Sequence, residues 1–373
     1  MGQIEGQIWD SARAEFVGGV LSWNPEGIID AVRTAPSSEA LFVVPGFVDL
    51  HVHGSGGRDV MDASPEALTT IAVQLARYGV TGFLATTLTA TAQDLARAVD
   101  AVAAYKESDQ GACILGMHLE GPFIDPEHRG AQPQERIRSM DQREMQDLLG
   151  RANGSIRLMT MAPDMPGGLE GISWLVEQGV RINIGHTGAT LEVADEAIDR
   201  GADGVTHLFN AMPALHHRSP GPVGLALSDP RVFVEIIADG VHIHPRVVKM
   251  AFAAAQGRMV AITDGISAVG LPPGKHHLGE LTVEVDEVAV RLPAGTLAGS
   301  KLTLDQAYRN LVSWGIDEAV VIQSLTETPW QRIGMKGHGR LIAGLSADFV
   351  VMNRDRRVLQ TVRRGRPIYT APA

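Results

Sequence analysis

Between residues 44 and 339 the chain repeats one rhythm, a short β-branched run followed by an amphipathic helical stretch. That alternation restricts it to parallel-sheet architectures, because each strand must return through a helix packed on the sheet. Strands are expected near 44–50, 80–86, 113–118, 156–162, 180–184, 204–209, 232–237 and 259–263. Helical patterns fall between them, for example at 66–78, 92–106, 191–200 and 246–256. Eight such units predict a closed (β/α)8 barrel of the TIM type, with a doubly wound open sheet as the alternative.

The two ends break the rhythm. Residues 1–43 and 340–373 are short, Gly-punctuated and strand-like, and predict a small β-sandwich domain assembled from both termini around a barrel of residues 44–339. The stretch 270–299 is rich in Pro and Gly around LTVEVDEVAVRL, which reads as a loop and hairpin after the eighth strand. At 373 residues the chain is long enough to bury one large core with an appendage.

Composition narrows the class of function. The net charge is −11, with scattered Lys and Arg, which argues against nucleic-acid binding. No apolar run reaches the roughly 20 residues a membrane span needs. Cys113 is the one cysteine, and no N-terminal apolar run with a basic flank suggests export, so a cytoplasmic protein without disulfides is expected.

The polar residues then fall into place on the predicted scaffold. In VVPGFVDLHVHG, His51 and His53 lie two apart at the end of the first strand and share a face. Glu120 follows the third strand in HLEGP, His186 the fifth in NIGHTGAT and His207 the sixth in THLFNAMP. His242 follows the seventh in IADGVHIHP, and Asp264 the eighth in AITDG. Each has an ordinary reading as a turn or cap residue. Together they mark the C-terminal rim of a barrel, where such folds carry their chemistry.

Imidazoles plus a carboxylate suit Zn2+ or a similar divalent ion with a position left open for water. Such an ion lowers the pKa of water toward about 7, which points to hydrolysis. Asp264, alone on its strand end, is the candidate to take up the proton and pass it on. His118 shares the face of Glu120 and reads as supporting the site rather than binding metal. His216, His217, His276 and His277 read as exposed loop histidines, and Cys113, Met159 and Met161 as core.

These motifs resemble the amidohydrolase superfamily. HLEGPF, NIGHTGAT, THLFNAMP, IADGVHIHP, ITDG and GTLAGSKLTLDQAYRNLV resemble its N-acetylglucosamine-6-phosphate deacetylase family over nearly the whole chain. The resemblance implies Glu120, His186 and His207 as ligands of the main metal and Asp264 as acid/base. It also implies cleavage of an amino-sugar phosphate to the free amine and acetate, and a homodimer. Many relatives bridge two metals with a carbamylated lysine, but no lysine occurs between Lys106 and Lys249; Glu120 matches the glutamate that does this work.

Some members lack the histidines of the first strand and bind one metal. His51 and His53 are present here, so one or two ions per chain are expected, Zn first and Fe, Mn, Co or Cd as alternatives. For the substrate, the resemblance implies Ala131 and Gln132, Asn210 and Ala211, Arg218, Asp239 and His242, and Leu297, Ala298 and Gly299. Several relatives have a histidine where this chain has Gln132. The rival readings are the galactosamine epimer of the substrate, a dihydroorotase or dipeptidase of the superfamily, and an inactive scaffold; the last is disfavoured by the complete set of ligands.

Overall fold

The computed structural model describes residues 2–36, 40–106 and 108–372. Eight parallel strands form one sheet in strict chain order: Phe47–Val52, Val80–Thr87, Cys113–Glu120, Ile156–Met161, Arg181–Ile184, Gly204–Val205, Phe233–Ile237 and Met259–Ile262. The ends of this sheet meet. Val52 bridges Gly265, Asp264 N donates to His51 O at 2.9 Å, and His53 N donates to Gly265 O at 2.8 Å. The barrel is therefore closed at its C-terminal rim, through the same residues that carry the first and eighth strand's polar side chains.

Helices cover the outside. Pro65–Ala76, Ala92–Ala104, Gln142–Ala152 and Leu191–Asp199 start on the side chains of Ser64, Thr91, Asp141 and Thr190, each of which accepts a backbone N–H in the first turn. Their apolar faces bury Leu68, Ile71, Leu95, Val99, Leu148 and Ile198 against strands such as Val80–Thr87, buried along its whole length. Among the described residues no helix is long and apolar enough to cross a membrane.

Both termini join a seven-stranded sheet, in the order Arg366–Thr370, Val358–Arg363, Phe349–Met352, Phe42–Pro45, Gly2–Asp10, Glu15–Trp23 and Ile29–Thr34. The run expected as one strand at 44–50 is divided at Gly46. Phe42–Pro45 pairs with Gly2–Asp10 and Phe349–Met352, and the barrel strand begins only at Phe47. A side chain at 46 would collide with Thr81, its Cβ only 2.2 Å from Thr81 Oγ1, so glycine lets the chain cross from one sheet to the other. Trp23 ties the two ends of the chain together, packing on Phe349 at 5.1 Å and donating from Nε1 to Gly365 O at 3.0 Å.

After the eighth strand, Gly274–Leu278, Leu281–Val285 and Val290–Arg291 form a separate antiparallel sheet. It has a small core of its own, including Leu278, Val283, Val285 and Val290 against Leu88, Ile266 and Ala298. His276 and His277, expected in a loop, lie in its first strand.

Candidate active site

Barrel geometry brings the predicted ligands together. His51 and Glu120 lie within their strands, and His53 directly follows the first. His186, His207 and Asp264 stand two residues past the fifth, sixth and eighth strands with φ of +49°, +29° and +51°. A left-handed backbone at a residue with a side chain costs about 1–3 kcal/mol and persists where the surroundings impose it, commonly at functional sites. Here it turns three side chains inward over the barrel mouth.

Glu120 is the hub. Its Oε1 lies 3.1 Å from His186 Nε2, 3.2 Å from His207 Nε2 and 3.3 Å from His51 Nε2, and its Oε2 lies 3.3 Å from His53 Nε2. The two pairs of histidines also close on each other, His186 to His207 at 3.1 Å and His51 to His53 at 3.3 Å between Nε2 atoms. A tetrahedral ion with arms of about 2.0 to 2.2 Å needs about 3.3 to 3.6 Å between ligand atoms. Both trios, Glu120 with His186 and His207 and Glu120 with His51 and His53, fit an ion with little adjustment.

On the far side of the rings, His186 and His51 have partners that fit that role, whereas His53 Nδ1 and His207 Nδ1 are buried without one. His186 Nδ1 donates to His128 O at 3.0 Å, which makes Nε2 the nitrogen that would bind an ion on the Glu120 side of the cluster. His51 Nδ1 faces Glu235 Oε2 at 3.3 Å. His51, His118 and Glu235 also lie close enough to share an ion. However, both nitrogens of His118 are engaged, by Leu50 O at 3.1 Å and Thr160 Oγ1 at 2.7 Å, so it supports the site instead.

Charge in the cluster is polarised. Burial works against ionised Glu120, but the charge on His51 and hydrogen bonds from His186 and His207 hold it well below the usual carboxylate range. Burial likewise opposes an imidazolium at His53, yet Asp264 and Glu120 raise it to about 9. Asp264 Oδ1 lies 3.2 Å from His53 Nε2; despite burial, His51 and His53 hold its pKa below normal, so it is a carboxylate. Below it, burial pushes Asp49 up to about 6 although Thr263 donates from both Oγ1, at 2.6 Å, and N.

The cluster opens into a cleft of about 310 Å³ lined by Gly130, Ala131, Gln132, Asn210, Ala211, His242, Leu297 and Gly299, with Leu278 from the hairpin sheet. Asp239 borders an adjoining cavity, where it accepts from His242 Nδ1 at 2.7 Å, and Ala298 is buried behind the wall. Arg218 does not line the cleft. It is exposed, with Nη1 2.8 Å from His217 Nε2. Arg291 lines the cleft instead, a cation that sequence reasoning missed because it sits in an alternating hairpin strand with no motif around it.

Gln132 borders the cleft with both ends of its amide occupied. Its Nε2 donates to Glu120 Oε2 at 2.5 Å, and its Oε1 accepts from Thr89 N at 2.8 Å. Expected beside the substrate, it lines the cleft and also holds the glutamate by this hydrogen bond.

A closed barrel with a buried histidine and carboxylate cluster at the C-terminal rim, facing a polar cleft, defines a metal-dependent hydrolase. The chain belongs to the amidohydrolase family, whose sequence profile matches residues 42–368. It is 37% identical over 342 residues to N-acetylgalactosamine-6-phosphate deacetylase of Escherichia coli O157:H7, covering 90% of this chain and 91% of that one. To N-acetylglucosamine-6-phosphate deacetylase of Vibrio furnissii it is 36% identical over 360 residues, covering 95% and 89%. Among solved structures it is similar to a mutant N-acetyl-D-glucosamine-6-phosphate deacetylase from Mycobacterium smegmatis in complex with N-acetyl-D-glucosamine-6-phosphate. That match has a TM-score of 0.93 at 32% identity, with 99% of each chain covered.

Proposed function

We propose that the protein hydrolyses the acetamide of N-acetyl-D-glucosamine 6-phosphate, giving D-glucosamine 6-phosphate and acetate. The observation that carries this reading is the convergence of Glu120 and four imidazoles beside an ionised Asp264, at the floor of a cleft that takes a small polar molecule. The similarity to deacetylases over nearly the whole chain supports the substrate class.

Glu120, His186 and His207 would hold the main divalent ion, and His51 and His53 with Glu120 a second. Zn2+ is the ion proposed, since nitrogen and oxygen donors at tetrahedral spacing suit it. A bound ion supplies Lewis-acid activation of the carbonyl and of water. The residues of the chain do the rest. Asp264, already ionised, takes a proton from the attacking water as the new C–O bond forms, and returns it to the amine nitrogen as the C–N bond breaks. His242 and Arg291 are proposed to hold the phosphate as charged donors from the cleft wall, and Arg218, outside the cleft of its own chain, to reach it across the interface of the proposed dimer. The backbone N–H of Ala211, next to Asn210, and the segment 297–299 would contact the sugar phosphate.

The barrel, expected over 44–339 but starting at Phe47 because Phe42–Pro45 lies in the terminal sheet, is proposed as the catalytic unit, with the two terminal segments as its appendage. A cytoplasmic homodimer is the proposed form, the location consistent with a single cysteine. A second reading, the galactosamine epimer, is suggested by one observation, the similarity to an N-acetylgalactosamine-6-phosphate deacetylase. Acetate release measured on both epimeric phosphates after metal reconstitution tests the two. A kcat/KM at least about tenfold higher on the glucosamine epimer is expected, and the reverse order overturns the proposal.

A further inference from the structure

Behind His51 a polar chain runs through the barrel wall. Arg332 is fully buried and donates from Nη2 to Asn183 Oδ1 at 2.6 Å and from Nη1 to Asp203 Oδ1 at 2.7 Å. Asn183 Nδ2 donates to Glu235 Oε1 at 2.7 Å, and Glu235 Oε2 faces His51 Nδ1 at 3.3 Å. Asn183, Glu235 and His51 are all buried. The fold makes room for the chain. Gly204 on the sixth strand passes so close that a Cβ there would lie 2.0 Å from Asn183 Oδ1 and 2.8 Å from Arg332 Nε.

The direction of these hydrogen bonds is forced. A guanidinium has donors only, so Asn183 must turn its oxygen to Arg332 and its NH2 to Glu235. Glu235, an acceptor on both oxygens, then meets His51 with an acceptor, which requires the proton on His51 Nδ1. With the Nδ1 proton held there, Nε2 is the nitrogen that gives up its proton when an ion binds, and it points at Glu120 and His53. We infer that Arg332, Asn183 and Glu235 are positioning residues that fix the tautomer of His51 and so adapt the first-strand histidines for a metal ion. This inference rests on the proposed metal centre.

Two variants test it, with metal uptake read by elemental analysis and chelator competition rather than by activity. In Glu235→Gln, Asn183 still presents NH2, so the glutamine oxygen faces Asn183 and its NH2 faces His51 Nδ1. The histidine is driven to carry its proton on Nε2. The ion at His51 and His53 should weaken by about 10- to 100-fold, the usual effect of losing such a partner, while the ion at Glu120, His186 and His207 is kept.

The exchange Asn183→Asp with Glu235→Gln keeps the charge but reverses the order. The carboxylate moved to the fifth strand would accept from both Arg332 and the glutamine NH2, so the glutamine oxygen again faces His51. Affinity should return to within about threefold of wild type, a recovery of the roughly 10- to 100-fold loss that lost packing at position 235 would not allow. Wild-type uptake of two equivalents with Glu235→Gln unaffected refutes the relay, as does an exchange variant as weak as the single one or unable to bind. If Glu235→Gln does not fold, the exchange variant alone decides. Saturation of wild type at one equivalent refutes the second metal site itself, and the relay with it.

Discussion

At the scale of single residues, chemistry and binding separate. Asp264 touches His53 and is held ionised, so Asp264→Asn should retain fold and metal but lose about 10²- to 10⁴-fold in kcat. A variant with more than half the wild-type kcat removes it from the proton path. Arg218→Ala should lower kcat/KM on the phosphorylated sugar about tenfold to a few hundredfold, from about 1.5 to 3 kcal/mol per charged hydrogen bond, and spare the sugar without phosphate. If Arg291→Ala shows that pattern and Arg218→Ala does not, the phosphate lies against the cleft wall. His242 supplies a pH signature. Burial disfavours its imidazolium, but the bond and charge of Asp239 outweigh it and raise the pKa above the usual 6.5. The cation is thus complete below 6.5 and lost only as pH climbs through the raised value. Affinity for the phosphorylated sugar, taken from KM, should fall over that window. Asp239→Asn should move the fall to lower pH.

Secondary-structure elements matter here through how closely they approach. The sixth strand is only Gly204–Val205, yet it passes against both Asn183 and Arg332 and leads to His207. Gly204→Ala should cost about 1 to 3 kcal/mol by overpacking, measured by urea unfolding. An unchanged midpoint would show that the neighbouring side chains move aside freely. The hairpin sheet after the eighth strand adds Leu278 and Arg291 to the cleft, so the insertion that read as a mere excursion forms part of its wall.

For the whole molecule, the metal is expected to contribute to stability as well as chemistry. Without an ion, the buried charge of Glu120 is balanced by protons on His51 and His53, whose burial opposes that charge. Removing metal with a chelator should lower Tm, and an ion at about a hundred times its Kd restores about 2.7 kcal/mol. Replacing His51 and His53 together with Asn should remove one equivalent and leave the ion at His186 and His207. Wild type and variant holding the same single equivalent would end the two-ion reading.

The barrel was legible in the amino-acid sequence, because eight alternating units leave few ways to bury their apolar faces. So was the convergence of His51, His53, Glu120, His186, His207 and Asp264 on one rim, because each sits beside a strand end in a recognisable motif. Local pattern carries that information. The division of one strand at Gly46, the capture of Gln132 by Glu120 and Thr89, and the presence of Arg291 rather than Arg218 on the cleft wall came from the folded chain alone. So did the joining of Arg332, Asn183 and Glu235 behind His51. Those residues are 52 to 184 positions from their hydrogen-bond partners, Asn183 and Glu235 in stretches that read as ordinary strands and Arg332 in no motif. Their roles come from burial and from who faces whom, which periodicity does not encode.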